Sequence, residues 1–155
     1  RTTSEKTAKQ KMILAKAILA AAERLGLAHD QLALILNIDS VKFNSLELDP
    51  TSKQGEIALT LIRITTSLDA LTGGDTAWMQ HFMRSPNKLM SDIPIEQIQN
   101  PQGLASVLQL VEGLGLNFKI SKVLQKNLKV MVFSNHSNAR NKNFPSSQDV
   151  YVWSN

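Results

Sequence analysis

The chain has 155 residues, of which 43% are hydrophobic and 19% are charged, a balance typical of globular domains. It contains no cysteine, which excludes disulfides and cysteine-ligated metal sites. The three histidines, His29, His81 and His136, are far apart and lack metal-ligand spacing, so no metal or cofactor is predicted. The sequence has no membrane-length apolar run and no phosphate-binding or catalytic motif. We therefore expect a cytoplasmic protein that is not an enzyme.

The net charge of +4 is distributed unevenly along the chain. Residues 1–30 carry six basic and three acidic side chains, and residues 101–155 carry six basic and two acidic ones. Residues 31–100 carry five basic and eight acidic side chains. Basic ends attract the phosphate backbone of nucleic acids, and they also occur as ordinary solvated faces. The charge pattern leaves both interpretations open.

The first third of the chain reads as a long helix followed by a bihelical unit. A helix is predicted over 7–25, and Gly26 is expected to end it. Its predicted apolar face consists of Met12, Ile13, Ala17, Leu19, Ala20 and Leu25. Residues 29–48 then fit a helix-turn-helix pattern, with the small Ala33 where the helices cross and Asn37 at the turn, where left-handed backbone is needed. The apolar positions of the pattern are filled by Leu32, Leu36, Ile38, Phe43 and Leu46.

This register predicts a first helix near 29–36 and a recognition helix near 40–48. The residues predicted to contact DNA are Ser40, Val41, Lys42, Asn44 and Ser45. Serine and asparagine can bond base edges, lysine can reach a phosphate or guanine, and valine can touch a thymine methyl group. Acidic neighbours of Lys42 make the local charge less favourable for binding DNA. The alternative is a dimerisation or docking domain that keeps the motif without binding DNA.

A long helix is predicted over 54–71. Its apolar side chains follow a heptad-like seam, formed by Ile57, Leu61, Ile64, Leu68 and Leu71. This seam suits packing inside a bundle or across a two-fold axis. Asp75 is expected to cap the next helix. The linker is short, which indicates that the flanking modules pack together.

Residues 75–113 form a unit with clear helix starts and stops. Trp78 is predicted to anchor the core from an apolar face that it shares with Phe82 and Met83, and Ser85 before a proline ends this helix. Pro94 is expected to start a short helix. The last helix, expected to stop near Gly113 or Gly115, has an apolar face of Leu104, Val107, Leu108 and Val111. Its scattered acids form no catalytic cluster, so we predict a docking module.

The order of ten residues in this unit resembles the C-terminal domain of Xre/MbcA/ParS-type antitoxins. These residues are Trp78, Met79, Pro86, Asn87, Leu89, Pro94, Gly103, Val107, Leu110 and Gly113. The upstream unit is similar to the helix-turn-helix of Xre-family regulators, with Asn37 in place of the usual glycine. The resemblance covers roughly residues 11–114.

This resemblance implies an antitoxin that occludes the active-site cleft of a cognate toxin, typically a RES-type toxin that degrades NAD. It also implies a homodimer that binds operator DNA and represses its own operon. The residues expected to bind the toxin are Arg84, Asn87, Leu110, Val111, Glu112, Gly113 and Leu114. A stand-alone helix-turn-helix transcription regulator without a toxin partner is the alternative.

The predicted fold is therefore all-α. We expect a helix-turn-helix module over 1–72, a toxin-binding module over 73–114 and an atypical basic tail over 115–155. In the tail, the apolar residues from Phe118 to Leu128 could form a further helix. The β-prone segments 130–133 and 150–153 could pair as a short hairpin, with an open loop over 134–148.

Overall fold

A computed structural model describes the backbone of residues 2–135 and the side chains of residues 2–127. Within this part every regular element is helical, which confirms the predicted all-α class. The elements in chain order are α1 (Thr3–Leu25), α2 (His29–Leu36), a 3₁₀ helix (Ser40–Ser45), α3 (Lys53–Thr72), α4 (Thr76–Arg84), α5 (Pro94–Gln97) and α6 (Pro101–Asn135). The chain divides into two compact units, Arg1–Gly113 and Leu114–Asn155.

The core of the first unit is built around the contact of α1 with α3, to which α4 adds by packing on both helices. The helix α2 packs against α3 and the 3₁₀ helix, and α5 contacts α4. Fully buried side chains come both from the segment predicted as the helix-turn-helix module (1–72) and from the segment predicted as the toxin-binding module (73–114). They are Ile18, Leu25, Leu32, Leu36, Leu61, Ile64, Leu68, Met79, Met83, Ile98, Val107 and Val111. Burial of this continuous apolar surface is the main stabilising term of the unit.

Arg24 joins three of these helices on their outer side. Its guanidinium pairs with the carboxylate of Asp69 on α3 and lies 3.6 Å from the sulfur of Met79 on α4. The Arg24 and Asp69 side chains are 37% and 44% exposed, so solvent screens the pair and its contribution to stability is small. Its geometric effect is to fix where the end of α1 meets α3 and α4.

The predicted apolar face of α1 was partly wrong in rotation, although Leu25 is buried as predicted. Met12 and Ile13 are 51% and 56% exposed, whereas Leu14 and Ile18 are buried. One residue along a helix rotates a side chain by about 100°, so a buried face centred on Leu14 and Ile18 turns Ile13 away from the core. The packing of α3 and α4 on α1 selects this face. The helix also begins at Thr3, before the predicted start, and Gly26 ends it as predicted, with a φ of 78°.

The predicted bounds of α3 and α4 and the predicted start of α5 are confirmed. The seam of α3 faces the core through Leu61, Ile64 and Leu68. The Asp75 carboxylate accepts a hydrogen bond from the Trp78 N–H at 3.3 Å and so caps α4. Ser85 leaves the helix with extended backbone, and Pro94 occupies the first turn of α5. Each of these features follows from side chains within one helical turn.

The predicted helix stops at Gly113 and Gly115 were wrong, because α6 continues to Asn135. A glycine inside a helix costs only about 1 kcal/mol, and the surrounding residues include strong helix formers and no proline. The first strand of the predicted β-hairpin, 130–133, is likewise helical backbone. Its second strand, 150–153, lies outside the described residues. No helix in the described part of the chain has the length and apolar character needed to cross a membrane.

Candidate functional site

The helix-turn-helix region keeps the predicted first helix and turn. The helix α2 spans His29–Leu36, and Asn37 after it has left-handed backbone with φ 55° and ψ 50°. Ala33 is buried where the pattern requires a small residue. The ring of His29 stacks on the buried ring of Phe43, with centroids 5.1 Å apart, and ties the start of α2 to the 3₁₀ helix.

The predicted recognition helix over 40–48 was wrong in type and length. The backbone forms a 3₁₀ helix from Ser40 to Ser45 and is extended at Leu46, with φ −67° and ψ 124°. The Asp39 carboxylate accepts a hydrogen bond from the Val41 N–H at 3.1 Å, which favours a tight local turn. Serine, valine and asparagine within the segment are weaker helix formers than leucine or alanine. The apolar positions alone did not reveal this shortening.

The five side chains predicted to contact DNA are all exposed on this 3₁₀ helix, and Phe43 alone points inward. A cavity beside them is lined by residues of both charges, including Lys11, Lys42, Glu47 and Asp49. Hydrogen bonds from the hydroxyl and the N–H of Thr51, with a smaller effect of Lys11, lower the pKa of Asp49 against a weak opposing effect of desolvation. Asp49 therefore stays ionised, and the field around Lys42 is mixed.

Two of the residues predicted to bind the toxin are engaged within the fold. Arg84 is exposed, but its guanidinium donates to the carbonyl of Gly26 at 3.3 Å, at the end of α1. The side-chain oxygen of Asn87 accepts from the Leu89 N–H at 2.9 Å. The Asn87 carbonyl accepts from the N–H groups of Met90 and Ser91. Asn87 thus organises the turn that follows α4.

The predicted binding residues on α6 differ in exposure. Val111 is fully buried, so its predicted contact with the toxin is wrong; it shares the inward face of Leu104 and Val107. Glu112 is exposed and accepts two hydrogen bonds from Arg63 on α3, at 3.1 and 2.7 Å. The other three are half-buried: Leu110, Gly113 and, at the start of the second unit, Leu114.

The prediction that Trp78 anchors the core was wrong. Trp78 is 62% exposed, and the buried side chains of α4 are Met79 and Met83. The Asp75 cap fixes the start of the helix, and residues four apart then share its inner face, which is the spacing of the two methionines. The sequence signal that was overlooked is this pair, because Trp78 precedes it by one position and is turned away from the core.

No metal centre arises from these surfaces. Among the described residues, no group of three or more histidine, aspartate and glutamate side chains is placed to hold an ion. His29 and His81 belong to separate helices, and His136 lies outside the described residues.

In a comparison with known protein families, residues 67–114 match the antitoxin Xre/MbcA/ParS C-terminal toxin-binding domain. The matched segment contains the end of α3, all of α4 and α5, and the first part of α6. A search of curated protein sequences finds no match. Members of the matched family are normally not enzymes. The match lies where the sequence predicted the toxin-binding module, and it confirms the resemblance to Xre/MbcA/ParS-type antitoxins over residues 67–114.

Proposed function

We propose that this antitoxin neutralises a RES-type toxin by covering the toxin's active-site cleft, and that as a homodimer it binds operator DNA and represses its own operon. The observation that carries the proposal is the match of residues 67–114 to a toxin-binding domain. The RES class, the operator and the dimer rest on the resemblance of the sequence to this antitoxin family.

The packing of the matched segment supports inhibition by occlusion. Met79, Met83, Val107 and Val111 are fully buried, so α4 and the first part of α6 are held firmly on the core. A surface that is already ordered loses little conformational entropy when it binds a partner. Blocking a cleft requires such a surface and no catalytic group on the antitoxin.

A NAD consumption assay tests the toxin class. The probe is the purified product of the reading frame next to this gene. We expect that product to consume NAD, and an equimolar amount of the antitoxin to stop the loss. Bovine serum albumin at the same concentration is the control for nonspecific effects. A toxin that arrests growth without consuming NAD would contradict the RES class, and unchanged NAD loss with saturating antitoxin would contradict inhibition.

The exposed 3₁₀ helix supports the DNA-binding part of the proposal. Five exposed side chains flank the buried Phe43 in the sequence, including Lys42 and Asn44, which can contact phosphate and base edges. A dimer would place two such segments on the half-sites of a palindromic operator.

A mass in solution of twice that of one chain is expected, and a monomer would contradict the dimer.

The double change Lys42→Ala and Asn44→Ala is expected to abolish a band shift with the antitoxin's own promoter DNA at moderate salt. It removes one phosphate contact and one base contact from each copy. The matched control, Lys88→Ala with Gln109→Ala, removes the same charge and an exposed amide elsewhere. Unchanged DNA binding by the first variant would exclude the 3₁₀ helix as the DNA-contacting element. A band shift by a chain that has no adjacent toxin gene would favour the stand-alone regulator.

A further inference from the structure

We propose that the toxin is held mainly by a surface on α4 and the turn after it, called here the Trp78 surface. It is made of the exposed apolar side chains of Trp78 and Leu89 together with His81 and the half-buried Ser85. This inference rests on the proposed toxin binding and names the part of the domain that carries it. It replaces the buried Val111 as the apolar anchor of the interaction.

Three of these residues form a stripe along one side of α4. Trp78, His81 and Ser85 are three and four positions apart, which places them on one helix face. The rings of Trp78 and His81 meet edge to face, with centroids 5.8 Å apart. The Ser85 hydroxyl lies 3.5 Å from Nε2 of His81. The stripe is therefore continuous from the first turn of α4 to its end.

The rest of α4 is used by the fold. Met79 and Met83 are fully buried against the core. The Gln80 amide reaches the carbonyl of Glu23 at 3.5 Å, and Arg84 reaches that of Gly26, so this side of the helix is tied to the end of α1. Among the described residues of the first unit, no other helix forms such a hydrogen bond with the stripe, and fold stability does not explain why the stripe carries a tryptophan.

Exposure singles out Trp78 and Leu89 within the matched toxin-binding segment, every residue of which the structure describes. They are 62% and 76% exposed, and they are the segment's exposed large hydrophobic side chains. Tryptophan is enriched among the few residues that dominate binding energy at protein interfaces. It offers a large contact area while only two side-chain torsions have to be ordered.

The turn after α4 presents Leu89 in a defined position. Asn87 accepts the Leu89 N–H through its side chain, and its own N–H donates to the carbonyl of Asp92 at 3.0 Å. Ser91 closes the turn with left-handed backbone, at a φ of 58°. The backbone at Leu89 is thus fixed by the Asn87 side chain and by the hydrogen bonds of the turn, which limits the entropy lost when the exposed Leu89 is covered.

The charge around this surface indicates what the toxin must offer. Residues 76–91 include Lys88 beside Leu89 and contain no aspartate or glutamate, and Asp75 and Asp92 flank the segment. We therefore expect the toxin to provide an apolar pocket for the indole ring of Trp78 and an acidic side chain that faces Lys88. Complementary charge at the rim of an interface speeds association and selects the partner.

A binding measurement on the full chain tests this surface, with the purified product of the adjacent reading frame as the probe. Trp78→Ala is expected to weaken binding by roughly 30-fold or more, as for a typical hot-spot residue. Leu89→Asp is expected to weaken it as well, because it places a charge in the apolar contact. The matched control is Leu34→Ala, since Leu34 is 69% exposed and lies outside the matched segment. It should bind within about twofold of the unchanged chain.

The outcomes separate this inference from the proposed function. If the unchanged chain binds the probe and both Trp78→Ala and Leu89→Asp bind equally well, the Trp78 surface is not the contact, although toxin binding stands. If the unchanged chain does not bind, the proposed toxin binding itself fails, and the inference fails with it. Equal melting temperatures of the variants and the control would show that any loss of affinity arises at the surface.

Discussion

Replacing Gly103 by alanine is expected to destabilise the protein by about 1–3 kcal/mol. A Cβ atom at this position would lie 2.0 Å from the carbonyl oxygen and 2.7 Å from the carbonyl carbon of Gln97, at the end of α5. These are backbone atoms, which cannot rotate away as a side chain would. The first turn of α6 would have to move off α5, and the bond from the Gly103 N–H to the Asn100 side chain, 2.7 Å long, would be strained.

The same substitution ten residues later provides the control. A Cβ atom at Gly113 would meet nothing within 4 Å, and Gly113 lies inside α6. Gly113→Ala is therefore expected to stabilise the protein by about 0.5–1 kcal/mol, because alanine loses less backbone entropy in a helix. Urea unfolding of both variants measures the two shifts. Equal stability of Gly103→Ala and the unchanged chain would contradict the close contact between Gly103 at the start of α6 and the Gln97 backbone at the end of α5.

The start of α3 is built in the same way as the start of α6. Gly55 is the third residue of its helix, its N–H donates to the Ser52 hydroxyl at 3.0 Å, and a Cβ there would lie 1.9 Å from the carbonyl oxygen of Asp49. Ser52 and Asn100 are residue types that commonly cap helices. The close approach of the preceding backbone was not visible in the sequence, because it depends on the path of the chain before the helix.

This difference explains which sequence predictions were confirmed. The helix starts and ends at four residues were predicted correctly: Gly26, Asp75, Ser85 and Pro94. Each of these roles depends only on residues within one helical turn. The rotation of α1 and the orientation of Trp78 depend on which neighbouring helix covers which face. Periodicity identifies the buried face of a helix only when the apolar residues define a single face. In α1 and α4, adjacent apolar residues (Ile13 and Leu14, Trp78 and Met79) allow two different faces.

The shortened recognition helix has another cause. The apolar positions of the helix-turn-helix pattern constrain which side chains point inward, and Phe43 and Leu36 do so. These positions do not determine whether backbone hydrogen bonds join residues three apart, as in a 3₁₀ helix, or four apart, as in an α-helix. The Asp39 side chain and weak helix formers favour the tighter 3₁₀ pattern. For the candidate DNA-binding surface, the exposure of Lys42 and Asn44 was therefore predictable, and their spacing along the groove was not.

Met79→Ala is expected to cost about 2–5 kcal/mol in unfolding free energy, the range for truncation of a fully buried large side chain. Met79 is completely buried between α4 and the core, and its sulfur lies 3.6 Å from the Arg24 guanidinium. Truncation leaves a cavity at the junction of α1, α3 and α4. Thermal or urea unfolding, monitored by circular dichroism, measures the loss.

Trp78→Ala, one position earlier, is expected to change stability by less than about 1 kcal/mol, because most of the indole ring already contacts solvent. The contrast is informative because the larger side chain should have the smaller effect on folding. If Trp78→Ala were the more destabilising variant, the tryptophan would belong to the core and would not be free to contact a toxin. If Met79→Ala alone unfolds the protein readily, α4 is anchored by its methionines, and its tryptophan remains available for a partner.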